Sequence, residues 1–250
     1  SRVEVLFSAA GAVGASGRLA TPSQQLDKVA ADYELVLHVG PRTPATSRLH
    51  GCLEELNKGA LGCKLVSIRE LNRYFTKISS TLSGTAASDV PAESRNVKLA
   101  QNFAKRLFDQ LDVAPGERVV INEPAAIGKI ASCAYSGQLF RSPNRLMSSF
   151  AANLPVEPTA VHVSISSYAD FFCRAYVEFL ETTQPERFVT PKVMVAKIMA
   201  NVPSWLTVLK GVALCFPYSR IHVWCVDDMI DSLPKMAGEV LGVAPTMAAS

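Results

Sequence analysis

Short apolar runs recur along the chain and alternate with amphipathic stretches, an order typical of layered α/β proteins. Four runs have the length and the β-branched content of buried strands, at residues 34–39, 118–122, 161–165 and 220–226. A fifth run, at residues 3–7, opens the chain ahead of a glycine-rich stretch. Parallel strands that are buried on both faces are almost continuously apolar, so the pattern predicts an α/β fold with a Rossmann-like parallel sheet.

Apolar positions at helical spacing predict helices between these strands. Leu49, Cys52, Leu53 and Leu56 fall on one side of a helix that ends near Gly59. Further helices are predicted at residues 95–111 and 168–181, and a closing helix is predicted to begin at a Ser232 cap and end near Gly242.

Two prolines interrupt the pattern near residues 153–159 and suggest a domain boundary. We therefore expect a Rossmann-like, dinucleotide-binding-type domain at residues 1–154. A reduced α+β catalytic-type domain is expected at residues 155–250.

The composition indicates a globular chain. Of its 250 residues, 48% are hydrophobic and 19% are charged, which is enough to bury one large core or two smaller ones. The formal net charge of +3 is too small to require nucleic acid as a partner. No apolar run reaches the length of a membrane span, and no basic leader is seen, so we expect no membrane partner and no secretory signal.

The cysteines and histidines are scattered rather than clustered. The six cysteines form no CxxC pair, so we expect buried free thiols, no metal site and a reducing compartment, either the cytoplasm or the mitochondrial matrix. The four histidines are His38, His50, His162 and His222, and ordinary packing accounts for each of them.

The first glycine-rich stretch offers a candidate cofactor site. Gly11, Gly14 and Gly17 follow the opening strand with the spacing GxxGxxG. Such glycines permit a tight turn and a close approach of the backbone to a pyrophosphate, and the following helix N-terminus favours the negative charge. A flexible loop of small residues is the alternative explanation.

Five segments, taken in order, resemble the lactate/malate dehydrogenase superfamily and, within it, the cytosolic type of malate dehydrogenase. They are VEVLFSAAGAVGASG, ELVLHVGPRTP followed by GCLEELNKGAL, STLSG, ERVVINEPAA and CFPYSRIHVW. The resemblance implies a Rossmann half, a trimmed α+β half, commonly a homodimer, and NAD held at Gly11, Gly14 and Gly17.

The residues that would transfer a hydride in that family are missing from the matching positions. The second strand ends in LHVG, without a carboxylate for the adenosine ribose, and Asp89 stands in the loop where arginines would clamp the substrate. Ala151 and Leu154 replace an aspartate and an arginine, and no histidine occurs at residues 165–167. His162 lies on the opposite strand face. We therefore expect no catalytic residue, and a vestigial glycine turn that leaves NAD binding open.

The segment HVGPRTPATS at residues 38–47 carries a second resemblance, to the phosphosulfate-binding loop of bacterial sulfotransferases. Such a loop holds phosphates with backbone amides, a lysine and hydroxyls. Here Thr43 stands in place of the lysine, and Pro44 removes an amide donor. Downstream, Ser166 stands where an arginine is expected. A turn with solvated Arg42 and Arg48 is the alternative.

Three functions follow from these patterns. The first is a malate-dehydrogenase-like protein without catalysis that serves as a structural or protein-interaction subunit of a larger assembly. The second is an NAD-dependent oxidoreductase with relocated residues, and the third is a sulfotransferase-like P-loop protein. RNA contact through scattered basic side chains stays open, and Trp205 and Trp224 are expected in the core. The basic side chains are Lys98, Lys105, Arg106, Arg141 and Arg145.

Overall fold

A computed structural model describes residues 2–4, 32–58, 62–66, 102, 105–140, 143–226 and 233–243. Within these residues one sheet runs through the molecule. Its strands are β1 (Arg2–Glu4), β2 (Glu34–Val39), β3 (Cys63–Val66), β4 (Arg118–Asn122), β5 (Ala160–Ile165) and β6 (Arg220–Cys225). The order across the sheet is β1-β6-β5-β2-β4-β3. Strands β2 to β6 are parallel, and β1 pairs antiparallel with β6. The predicted α/β class with a parallel sheet is confirmed.

Helices cover both faces of this sheet. They are α1 (Pro44–Asn57), α2 (Ala131–Ser136), α3 (Pro143–Asn153), α4 (Tyr168–Thr182), α5 (Pro191–Asn201), α6 (Trp205–Cys215) and α7 (Leu233–Leu241), with short 3-10 helices at Pro124–Ile127 and Pro185–Arg187. The predicted helices around residues 49–56, at 168–181 and before Gly242 are therefore confirmed. Of the helix predicted at residues 95–111, the described residues 105–111 are helical, and Ser232 lies outside the described residues.

The two faces of the sheet bury different cores, because successive side chains of a strand point to opposite sides. Leu37, Ile121 and Val163 contribute to the larger core, which includes side chains of α2 to α6. Val36 and Val120, with the opposite parity, pack in the smaller core with side chains of α1 and α7. Helix α1 buries its Leu49 and Leu53 here, as their helical spacing predicts.

The strands of the sheet come from both sides of the boundary that the sequence suggests between residues 154 and 155. Strand β2 pairs with β4 on one side and with β5 on the other. The division into two domains stays a prediction. In the part of the chain that the structure describes, no single helix combines the length and the hydropathy needed to cross a bilayer.

Candidate anion-binding site

The carboxyl ends of β2 and β5 mark the point where the chain connections diverge. After β2 the chain passes through α1 toward β3 on one side of the sheet, and after β5 it passes through α4, α5 and α6 to β6 on the other side. In open α/β sheets, ligands bind in the crevice outside the carboxyl ends of the strands at such a switch point. Gly40 is the first residue after β2 and Ser166 is the first residue after β5, so we take the region between them as the candidate site.

Gly40 lets the chain turn tightly against the neighbouring strand. A Cβ atom at this position would lie 2.8 Å from both the Cβ and the carbonyl oxygen of Ser164. Ser164 is fully buried in β5, so neither group has room to move. A glycine is therefore required where β2 leaves the sheet, and the following loop is held close to β5.

The loop ends in a capping box at the N-terminus of α1. Thr43 is the N-cap: its Oγ1 accepts a hydrogen bond from the Thr46 amide at 3.2 Å, and its own amide donates to Thr46 Oγ1 at 2.8 Å. Thr46 Oγ1 in turn donates to the carbonyl oxygens of Thr43 and Pro41. These bonds stabilise the start of the helix, but they also occupy amides that a phosphate would otherwise use.

Three polar side chains remain exposed around this N-terminus. They are Arg42 in the loop, and Ser47 and Arg48 in the first turns of α1. Within the described residues, neither arginine has a salt bridge. The partial positive charge of the helix N-terminus and two guanidinium groups therefore share one sign, which favours an anion.

A chain of hydrogen bonds, buried except at its Glu54 end, lies on the α1 side of the sheet and joins three strands to α1. His38 in β2 bonds through Nε2 to Ser164 Oγ and through Nδ1 to Asn122 Oδ1, both at 2.7 Å. Asn122 Nδ2 donates to His50 Nδ1 at 3.0 Å, and His50 Nε2 lies 3.1 Å from Glu54 Oε1. We call these five residues the polar relay. It fixes β5, β2, β4 and α1 relative to one another directly beneath the loop.

The partners assign a direction to the polar relay. Because Asn122 Oδ1 can only accept, His38 Nδ1 carries the hydrogen and His38 Nε2 accepts from the Ser164 hydroxyl. The same reasoning makes His50 Nδ1 an acceptor and His50 Nε2 a donor to Glu54. Burial lowers the pKa of His38 to about 4, so this imidazole stays neutral near neutral pH. The serine, histidine and asparagine resemble a catalytic triad, but Ser164 is buried beneath Gly40 and serves packing.

The segment after β5 forms the other wall of the crevice. Ser166 is 5% exposed, and its Oγ has no hydrogen-bond partner among the described residues. Its carbonyl oxygen accepts from Trp205 Nε1 at 2.8 Å, which anchors α6 to this segment. Ser167 caps α4 by accepting from the Asp170 amide at 3.2 Å. The buried hydroxyl of Ser166 is therefore a polar group that the described part of the chain does not satisfy.

These features define the class of protein: a parallel α/β protein with a helix N-terminus and exposed basic side chains at its topological switch point. No protein-family model and no curated protein sequence matches the chain. Among solved structures, thymidylate kinase from Candida albicans is similar over 84% of this chain and 91% of its own, at 13% identity and a TM-score of 0.41. Thymidylate kinase from Ehrlichia chaffeensis is similar over 84% of this chain and 97% of its own, at 13% identity and a TM-score of 0.39.

The resemblance to lactate/malate dehydrogenases is wrong. In a dinucleotide-binding sheet, the strand that enters the glycine turn is a central parallel strand beside the second strand. Here β1, the described part of that strand, is antiparallel at the sheet edge, and β6 and β5 separate it from β2. A malate-dehydrogenase-like subunit of an assembly and a relocated NAD-dependent dehydrogenase therefore both lose their basis.

Several predicted positions can be placed, and others cannot. Gly11, Gly14 and Gly17 lie outside the described residues, as do Asp89 and Lys98. His162 is packed as predicted: its ring stacks on His222 with centroids 4.7 Å apart, and its Nδ1 accepts from Trp224 Nε1 at 3.0 Å. Both tryptophans lie in the core, as predicted, at 7% and 4% exposure.

The thiols are free, as the sequence predicts, but they are less uniformly buried than expected. Cys133 is buried, Cys173 is exposed, and the remaining four are half-buried. Burial raises the pKa of Cys63 and of Cys133 to about 11, so these two thiols are poor nucleophiles. No group of three or more metal-ligating side chains occurs among the described residues.

Proposed function

We propose that this chain is a sulfotransferase-like protein that binds a bis-phosphorylated adenine nucleotide, for which adenosine 3′,5′-bisphosphate is the test ligand. The observation that carries the proposal is the position of residues 38–47. Their loop lies at the switch-point crevice and leads directly into the 14-residue helix α1. The partial positive charge of a helix N-terminus in this position favours a phosphate group, although the capping box already uses the amides of Thr43 and Thr46.

Side chains around the loop support the same ligand. Arg42 and Arg48 are exposed and can each form charge-assisted hydrogen bonds to phosphate oxygens. Ser47 adds an exposed hydroxyl on the first turn of α1. The unsatisfied Ser166 hydroxyl on the opposite wall offers a donor to a second anionic group.

The site suits binding better than sulfuryl transfer. Thr43 occupies the position of the expected lysine, and it is buried as the helix cap rather than free for a ligand. Ser166 occupies the position of the expected arginine. Loss of a cation that stabilises a developing negative charge typically costs about a hundredfold or more in rate. We therefore propose nucleotide binding with little or no transfer.

Calorimetric titration with adenosine 3′,5′-bisphosphate tests the proposal. We expect saturable binding that weakens with added salt, and roughly tenfold weaker binding in Arg42→Ala and in Arg48→Ala, because each removes a charged hydrogen-bond donor. Arg187→Ala is the matched control, since this exposed arginine lies in the distant Pro185–Arg187 helix and its loss should leave the affinity unchanged.

Two results would count against this function. One is the absence of heat at millimolar nucleotide in protein whose circular dichroism shows an intact fold. The other is equal weakening by Arg187→Ala and Arg48→Ala, which would indicate nonspecific attraction of the anion to a cationic surface.

We also infer a reducing compartment, either the cytoplasm or the mitochondrial matrix. The support is the set of six free cysteines, which include half-buried and exposed thiols. Thiol titration of protein purified without reductant checks this inference, and we expect six reactive thiols after unfolding.

A further inference from the structure

The turn between α5 and α6 carries apolar side chains that the fold leaves exposed to solvent. Met199 is 73% exposed, Val202 is 78% exposed and Leu206 is 52% exposed. We call these three residues the apolar tip. The two helices meet there at a bend of 64°, so the tip forms a corner of the molecule. Val195, 52% exposed on α5, extends the apolar surface along the helix. Exposed apolar side chains grouped at one corner of a molecule are typical of an interaction surface.

The backbone of Val202 is strained for a residue of its type. Its φ is +43° and its ψ is +63°, a left-handed conformation that β-branched residues rarely adopt. Two other described non-glycine residues have positive φ. Asp112 is of a type that tolerates the conformation, and Phe140 is buried against Phe171 and Trp205. Val202 is the C-cap of α5, and its amide donates to the Ile198 carbonyl oxygen. The end of the helix therefore accounts for the left-handed backbone, but not for an exposed β-branched side chain at a position where glycine or asparagine would be less strained.

The charges of this part of the chain have one sign. No aspartate or glutamate occurs from residue 187 to residue 226, a span with five basic residues. Lys192 on α5 and Lys210 on α6 are exposed. Lys197 is held by α2: its Nζ donates to the Tyr135 carbonyl oxygen at 2.8 Å and lies 4.4 Å from the centre of that ring. A complementary partner is therefore apolar at its centre and negatively charged around it.

We propose that the apolar tip docks peripherally on the surface of an anionic phospholipid bilayer. Met199, Val202 and Leu206 enter the boundary between headgroups and acyl chains, and the exposed lysines contact the phosphates. The corner shape lets a few side chains enter without a spanning helix. A second copy of this chain is a poorer partner, because pairing two tips brings lysines of the same sign together.

Vesicle sedimentation tests the docking with the full chain. The probes are phosphatidylcholine vesicles and vesicles in which roughly one third of the lipid is phosphatidylserine. We expect the protein to sediment with the anionic vesicles alone. Val202→Asn should weaken this binding roughly tenfold through lost apolar burial. The same variant should unfold at a higher temperature, because asparagine tolerates the left-handed conformation. If Val202 had a purely structural role, vesicle binding would not weaken while the unfolding temperature rises.

Leu214→Ser provides the matched control. Leu214 is 57% exposed on α6, about 12 Å along the helix from Leu206, and its replacement should leave vesicle binding unchanged. Equal sedimentation with neutral vesicles, or equal binding by wild type and Val202→Asn, would overturn the proposal. The absence of any vesicle binding would also overturn it. So would a protein that does not bind vesicles but either self-associates or captures an acidic protein, if Val202→Asn abolishes that interaction. Nucleotide binding is measured separately and is independent of these outcomes.

Discussion

Gly40 is the residue on which the geometry of the crevice depends most directly. Gly40→Ala places a methyl group 2.8 Å from Ser164, so we expect a loss of about 2 kcal/mol in the free energy of unfolding and weaker nucleotide binding. Gly51→Ala is the control, because Gly51 lies in α1, shortly after Gly40 in the chain, and a Cβ atom there would meet nothing within 4 Å. It should gain about 1 kcal/mol from helix propensity. Urea denaturation measures both, and equal effects would contradict the close approach at Gly40.

His38 makes stability depend on pH in a defined direction. Its pKa falls from 6.5 to about 4 on folding, because burial disfavours the charged ring. The neutral ring therefore stabilises the fold fully above pH 6.5, and this contribution is lost as the pH falls toward 4, because the unfolded chain takes up the proton first. The loss is about 3 kcal/mol for this group.

Unfolding free energies at several pH values between 7 and 4 isolate this contribution when wild type and His38→Gln are compared. The variant is expected to be less stable at neutral pH and to depend less steeply on pH across this range. Identical slopes in the two proteins would show that His38 takes up a proton as readily in the folded state as in the unfolded chain.

Single residues were predicted with mixed success, and the reason is geometric. The buried positions of His38, His162 and His222 follow from the apolar runs that contain them. The polar relay could not be predicted, because it requires the register of β2 against β4 and β5. Each of these strands carries a polar residue near its carboxyl end on the α1 side, namely His38, Asn122 and Ser164. That shared position was the available signal.

At the scale of the element, the start of α1 depends on Thr46. Thr46→Val removes the hydroxyl that bonds to the Thr43 amide and to two carbonyl oxygens, so we expect a loss of about 2 kcal/mol. Thr207→Val is the control, since Thr207 is exposed in the first turn of α6 and should change stability by about 0.5 kcal/mol or less. Thermal unfolding followed by circular dichroism measures both, and a neutral Thr46→Val would show that water replaces the capping box.

The elements predicted from sequence were those with a clear periodicity. The buried strands are continuous apolar runs, and α1 and α4 have apolar faces at helical spacing. Helices α5 and α6 were missed, because apolar residues occur on all sides of both and give no distinct face. Strand β3 was missed because it has four residues, one of them a lysine. The apolar tip follows instead from the exposure of Met199, Val202 and Leu206 in the structure.

At the scale of the whole molecule, Gly137 lets α5 pack on α2. Its φ is +70°, and a Cβ there would lie 2.6 Å from the carbonyl carbon of Lys197. Gly62 has a φ of +75° but open space around it, so the two glycines share the backbone preference and differ in packing. We expect Gly62→Ala to cost about 1 kcal/mol and Gly137→Ala at least about 2 kcal/mol more.

Hydrogen exchange distinguishes the two glycine substitutions further. Gly137→Ala should speed amide exchange in α5, since the helix must move away from α2 to admit the methyl group. Gly62→Ala should leave exchange in α5 unchanged. Equal destabilisation by both variants would indicate that the conformation, and not the contact with Lys197, determines the cost.

The order of the strands is the property that the sequence left most open. An apolar run shows that a strand is buried, but it does not show which strands lie beside it. The resemblance to a Rossmann half implies that the strand before the glycine turn, at residues 3–7, is central in the sheet. Instead, β1 lies at the edge and pairs antiparallel with β6. The fold class could therefore be predicted, and the family resemblance drawn from segment order could not be trusted.

His38 lies in the layer between the sheet and α1, and its buried ring makes this layer the one that acid weakens. Protonation of His38 puts charge into this core, while the opposite core holds its aromatic cluster of Phe140, Phe171 and Trp205. Each layer contains one natural fluorophore, Trp224 beside His162 and Trp205 in the other core. On acid titration, emission from Trp224 in a Trp205→Phe variant should change before emission from Trp205 in a Trp224→Phe variant. Simultaneous changes would mean that both layers separate from the sheet together.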